Sequence, residues 1–143
     1  MKIMIINGPN MNMLGVREPD IYGVLTYDDL VAYIKMERGE DHKLKFFQSN
    51  HEGEIIDMIQ SAYFDKYDGI VINPAGYTHT SIAIMDAIKA VNIPTVEVHM
   101  TSPAAREEYR KTSYISEAAI ATVSGQGFNS YLEAIDILAE GAK

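Results

Sequence analysis

The alternation of short apolar runs with segments of helical period constrains this chain more than any other feature of its sequence. The runs at residues 2–6, 44–48, 69–72, 95–98 and 118–123 read as strands, and the stretches around them repeat apolar residues every three or four positions. The first such stretch opens at Thr26, whose hydroxyl can cap a helix with Asp29 three residues on; Tyr27, Leu30, Val31 and Ile34 form its stripe, and Gly39 ends it. Ile55, Ile59, Ala62 and Tyr63 make a second stripe, Ile84, Ile88 and Val91 a third, and Leu132, Ile135, Leu138 and Ala139 a fourth. Strands interleaved with helices predict an α/β fold. Right-handed crossovers then favour a flavodoxin-like doubly wound sandwich with a five-stranded parallel sheet. At 143 residues the chain fits one domain, 1–143.

Several function classes drop out. The chain has no cysteine, which excludes thiolate metal sites, disulfides and a cysteine nucleophile. Its net charge of −8, without a basic stripe, argues against nucleic acid as a partner. Its apolar runs fall far short of the roughly 20 residues that span a bilayer, and the strand-like start at Lys2 lacks the features of a secretory leader, so a cytoplasmic location is expected. Lys2, Lys35, Lys43, Lys45, Lys66, Lys89 and Lys143 fall away from the inferred rim loops and only Lys111 lies nearby, leaving no convincing Schiff-base lysine.

In open α/β sheets ligands bind at the carboxyl ends of the strands, and the segments there are rich in polar groups. Residues 7–23, after the first strand, exceed the usual two to six residues of such a loop and hold Asn10, Arg17 and Tyr22. An ordinary tyrosine titrates near about 10, and a guanidinium beside it lowers that by about 1 to 3 units, so Arg17 and Tyr22 could form a phenolate base rather than a surface pair. Asn73 and His79 follow the third strand; His99, Met100 and Thr101 follow the fourth. Because successive strand residues alternate faces, contact between Glu97 and His99 is expected only if the strand ends near residue 99 with His99 already turning. Arg106 and Arg110, four apart, fit either a solvated helix face or the capture of a carboxylate. His51, Glu52, His79 and His99 lack the spacing of a zinc hydrolase, which leaves that reading weak. Gly125-Gln126-Gly127 reads as a turn rather than a dinucleotide fingerprint. A flavodoxin-like binding or signalling module is the non-enzyme alternative, although the first loop has neither a receiver's acidic pair nor a flavin carrier's Ser/Thr-rich phosphate cradle.

The motifs Asn7-Gly8-Pro9-Asn10, Arg17-Glu18-Pro19, Ile21-Tyr22-Gly23, Gln48-Ser49-Asn50-His51-Glu52-Gly53, Asn73-Pro74-Ala75-Gly76-Tyr77-Thr78-His79-Thr80-Ser81, Glu97-Val98-His99 and Arg106-Glu107-Glu108-Tyr109-Arg110 occur in this order. Over essentially its whole length the chain resembles the type II 3-dehydroquinate dehydratases. That resemblance implies anti elimination of water from 3-dehydroquinate through an enol or enolate, with no metal or organic cofactor. By position Tyr22 is then the base, with Arg17 beside it favouring the phenolate, and Asn10 stabilises the developing enolate oxygen. His99 is the acid, held or polarised by Glu97. Asn73, His79, the backbone at Met100 and Thr101, and Arg110 grip the substrate, while Arg106 supports the lid. The resemblance also implies a dodecameric homo-oligomer, a tetramer of trimers, with Asp86 donated across a subunit contact. The chain departs from the family at Thr101-Ser102, where Ser-Asn is usual, at Pro103, and at Met85, where an arginine commonly precedes the aspartate.

Overall fold

The structure, a computed structural model, describes residues 1–16, 20 and 24–142. Its strands are β1 (Lys2–Asn7), β2 (Lys43–Gln48), β3 (Gly69–Asn73), β4 (Thr95–His99) and β5 (Ala121–Ser124), and its α-helices among the described residues are α1 (Tyr27–Arg38), α2 (Glu52–Phe64), α3 (Ile82–Val91) and α4 (Asn129–Gly141). All strand pairs are parallel, in the order β2-β1-β3-β4-β5. This is the flavodoxin-like, doubly wound arrangement that the pattern of runs predicts.

Local chemistry sets several boundaries. Thr26 caps α1 reciprocally: its Oγ1 accepts from Asp29 N at 3.1 Å and its own N donates to Asp29 Oδ2 at 2.8 Å. Gly39 N closes the last turn on Lys35 O at 2.9 Å. At the same end of that helix, Arg38 grips Asp136 of α4 with Nε and Nη2, both at 2.9 Å.

Two apolar layers flank the sheet because strand side chains alternate. Ile3, Ile5, Val71, Val96 and Val98 face Leu30 and Ile34 of α1 and Leu132, Ile135 and Leu138 of α4. Met4, Ile6, Ile70 and Ile72 face Ile55 and Ile59 of α2 and Ile84 and Ile88 of α3. Met85, at the position where the family commonly has arginine, is 9% exposed and belongs to this second layer.

Three expectations need correction. Tyr63, placed in the stripe of α2, is 57% exposed and meets Phe64 edge-on in the last turn of the helix, where Ala62 is its last buried residue. The last strand starts at Ala121 rather than 118: Ile115–Glu117 form a 3-10 turn capped by Ala118, whose N reaches Ile115 O at 3.0 Å, and Ile120 is exposed. Arg106 and Arg110 do not share an α-helix. The β4–β5 connection is laced instead by 3-10 turns at Pro103–Ala105, Glu108–Arg110 and Ile115–Glu117.

Candidate active site

β1, β3 and β4 each run one residue beyond their last apolar position, to Asn7, Asn73 and His99, and all three of these polar side chains are buried. Asn73 and His99 open onto a cleft of about 190 Å³ lined also by Asn10, Met11, Ala75, Gly76, His79, Met100, Thr101, Pro103, Arg106 and Arg110. The cleft lies at the carboxyl ends where β1 and β3 part toward opposite sides of the sheet, the switch point at which this topology holds ligands. Eight residues chosen from the sequence therefore meet in one place: Asn10, Asn73, His79, His99, Met100, Thr101, Arg106 and Arg110.

Close backbone approach shapes its floor. Gly8 N donates to Asn73 O at 2.8 Å, and a Cβ on Gly8 would stand 2.6 Å from Pro74 O, so only glycine fits. Asn10 (φ 70°) and Ala75 (φ 52°) both hold left-handed backbone. Asn50 Oδ1 secures the first by accepting from Asn10 N at 2.9 Å, and Asn73 Oδ1 secures the second by accepting from Ala75 N at 3.1 Å. The Asn73 amide donates to Tyr131 Oη at 3.0 Å, and Tyr131 donates in turn to Asn7 Oδ1. Burial raises the Tyr131 phenol above its ordinary range, so it remains a neutral link between β1 and β3.

The histidine and carboxylate on β4 are joined. His99 Nε2 hydrogen-bonds Glu97 Oε2, which corrects the expectation that contact required the strand to end and His99 to turn. The strand runs through His99, and residues two apart on a strand share a face. Glu97 is 1% exposed. Burial pushes its carboxyl upward, but the hydrogen bond and charge of His99 with hydroxyls from Ser116 and Ser113 outweigh burial and hold it below the usual range. With Nε2 committed to the carboxylate, Nδ1 is the ring nitrogen left to the cleft that His99 lines.

His79 is fixed by Thr112, whose carbonyl accepts from Nδ1 at 2.6 Å. A carbonyl cannot donate, so Nδ1 carries the proton in that contact. Glu107 braces the two arginines: its Oε2 accepts from Arg110 Nε at 2.8 Å and lies 3.8 Å from Arg106 Nε. Although the chain carries a net charge of −8, the cleft gathers two guanidiniums and two imidazoles, a local field that favours a small anion. The Gly125–Gly127 turn closes the rim, with Gly125 N on His99 O at 3.2 Å and Gly127 N on Met100 O at 2.9 Å.

Other candidates lie apart. Asp86 is exposed on α3 and does not line the cleft. Arg17 and Tyr22 lie outside the described residues. His51 precedes α2 on the surface and does not line the cleft, and among the described residues no group of His, Cys, Asp or Glu is placed to hold a metal. Glu107, Thr112, Ser113 and Ser116 carry no periodic or spacing signal of their own. Only the position of their segment after β4 could have flagged them.

A flavodoxin-like sheet whose rim joins a buried imidazole–carboxylate pair to cationic side chains defines an α/β protein suited to proton transfer on a small anionic ligand. Residues 1–139 match the family model for class II dehydroquinases. A 3-dehydroquinate dehydratase of Fusobacterium nucleatum is 54% identical over 98% of this chain and 97% of its own; one of Caldicellulosiruptor bescii is 54% identical over 97% of each. The crystal structure of a type II dehydroquinase from Butyrivibrio crossotus superposes with a TM-score of 0.95 at 48% identity, covering 97% of both chains. A 3-dehydroquinate dehydratase-like protein from Bifidobacterium longum superposes at 0.71 with 29% identity, over 98% of this chain and 96% of that one. The chain therefore belongs to the class II dehydroquinases, the type II 3-dehydroquinate dehydratase family of hydro-lyases.

Proposed function

We propose that residues 1–143 form one catalytic domain that removes water from 3-dehydroquinate to give 3-dehydroshikimate by anti elimination. The observation that carries this reading is the buried Glu97–His99 pair at the edge of a cationic cleft, in a chain matching the family over residues 1–139. Tyr22, as phenolate, takes a proton from the carbon beside the ketone, and the electron pair moves into an enolate. Arg17 favours that phenolate, and Asn10 stabilises the enolate oxygen. As the enolate collapses, the C–O bond breaks and His99 passes its proton to the departing hydroxyl, releasing water. Glu97 holds the imidazole and offsets the charge of its protonated form. Arg110, His79, Asn73 and the backbone at Met100 and Thr101 hold the carboxylate and hydroxyls, and Arg106 supports the lid. No metal or organic cofactor takes part.

Acid and base each supply about 10² to 10⁴-fold in such reactions, so two separately held groups are adequate in kind. Asp86 acts across a subunit contact of a dodecamer, a reading its exposure in the protomer supports. The enzyme works in the cytoplasm.

The test is a direct assay on chelator-treated protein, following the enone absorbance of the product, beside Tyr22→Phe. Turnover by the native protein and its loss in the variant are expected. A folded native protein without turnover would sink the reaction, and a variant with native turnover would sink the base.

A further inference from the structure

Adjoining the cleft, with which it shares His79, His99, Pro103 and Arg110, lies a second chamber of about 160 Å³ whose lining includes Glu97, Ser113, Ser116, Thr122 and Ser124. Its geometry is organised around one carboxylate. Glu97 Oε2 takes His99, while Oε1 accepts from Ser116 Oγ at 2.7 Å and more distantly from Thr122 Oγ1 at 3.4 Å. Ser113 Oγ lies between the two oxygens, 3.0 Å from Oε1 and 2.9 Å from Oε2. Because a serine has one O–H and two lone pairs, Ser113 can give its hydrogen to Glu97 and still accept from Ser116 N at 3.1 Å. Thr122 reaches the carboxylate because it is the register partner of Glu97 across β4 and β5.

A carboxylate this buried is disfavoured as an ion unless donors replace the water it has lost. An isolated Glu–His contact would satisfy one oxygen and leave the other without compensation. It would also leave the carboxyl free to rotate, and the imidazole with it.

We infer that Ser113 and Ser116, with Thr122 as a weaker third donor, are positioning residues for the elimination: their hydroxyls fix Glu97 as an oriented carboxylate, and Glu97 thereby aims His99 at the leaving group. This rests on the reading of His99 as the acid. The same short segment also supplies the Thr112 carbonyl that sets His79, so residues 112–116 orient both cleft histidines. The other charged or titratable groups lining the chamber are His79, His99, Arg110 and Lys111, all cationic when protonated, which leaves the hydroxyls as the neutral donors to Glu97.

The experiment compares the native protein with Ser113→Ala, Ser116→Ala, the double variant, and Ser116→Thr, which restores a hydroxyl. The first readout is kcat and KM for 3-dehydroquinate across pH; the second is the titration of the Glu97 carboxyl carbon by NMR, which needs no turnover. Removing donors removes stabilisation of the charged form, so the Glu97 midpoint should rise and the acidic limb of kcat should move to higher pH. The double variant should lose about ten-fold or more in kcat with KM changed less than about three-fold, and Ser116→Thr should recover most of the loss seen in Ser116→Ala. Should the double variant not fold, the single variants carry the same comparison. Folded variants with kcat within two-fold of native and an unmoved Glu97 midpoint would overturn the proposal. An inactive native protein whose Glu97 midpoint still rises on serine removal would instead overturn the assigned reaction and leave the hydroxyl cradle standing.

Discussion

On the side of the sheet covered by α2 and α3, β1 and β3 present Met4, Ile6, Ile70 and Ile72, whereas β4 and β5 present Glu97, His99, Thr122 and Ser124. The first half is roofed by two α-helices, and each of its four side chains is fully buried. The second is roofed by the β4–β5 connection with its short 3-10 turns. The difference follows from what each cover can offer. An α-helix spends its interior N–H and C=O groups on itself and presents side chains alone, which suits an apolar strand. An irregular connection can bring serine hydroxyls to a buried carboxylate and a backbone carbonyl to a histidine. Apolar burial is thus concentrated under the helices and the buried ion under the turns.

Substitutions can break this division. His99→Gln, which keeps the size and one polar end of the side chain, should reduce kcat by about 10² to 10⁴-fold while leaving the unfolding midpoint near native; steady-state kinetics and thermal melts together decide it. A large loss of stability with kcat retained would erase the distinction. In the helix-covered half, Ile70→Ala should lower the unfolding free energy by about 2 to 5 kcal/mol, as a fully buried isoleucine leaves a cavity. Denaturant titration measures this, and kcat per folded molecule should stay within about two-fold. Thr26→Ala, in the cap of α1 on the opposite side of the sheet, sharpens the scale: it should cost about 1 kcal/mol by the same titration, with no change in kcat.

How far the sequence shows this division depends on the residue. Apolar runs reveal β1, β3 and β4 to within a residue, because burial on both faces leaves a continuous signal, and the edge strand β2, none of whose residues is fully buried, is found to within a residue as well. The same signal stops too early at Asn7, Asn73 and His99, since a buried polar residue ending a strand looks like the start of a loop. It also misplaces the start of β5, where the apolar stretch at 118–120 is the exit of a 3-10 turn. Motif order brings together the cleft residues from Asn10 to Arg110. The partnership of Glu97 with His99 needed the two-residue period of the strand, and Ser113 and Ser116 needed coordinates, because a serine in a loop has no pattern to betray its hydrogen bond. Asp86 has no role that one protomer can reveal, since it faces outward from α3.

The missing helix between β4 and β5 also has a consequence for how the molecule breathes. In α1, a continuous ladder protects the backbone amides, whereas Ala105, Arg106, Arg110 and Lys111 each rest on an isolated bond reaching back three residues. Such a segment opens locally at a lower free energy than the sheet beneath it, and its amides exchange with solvent sooner. Opening would also part Ser113 and Ser116 from Glu97, so the exchange of the roof is thermodynamically linked to the charge it covers: the ion tightens the lacing, and protonating it loosens the lacing first.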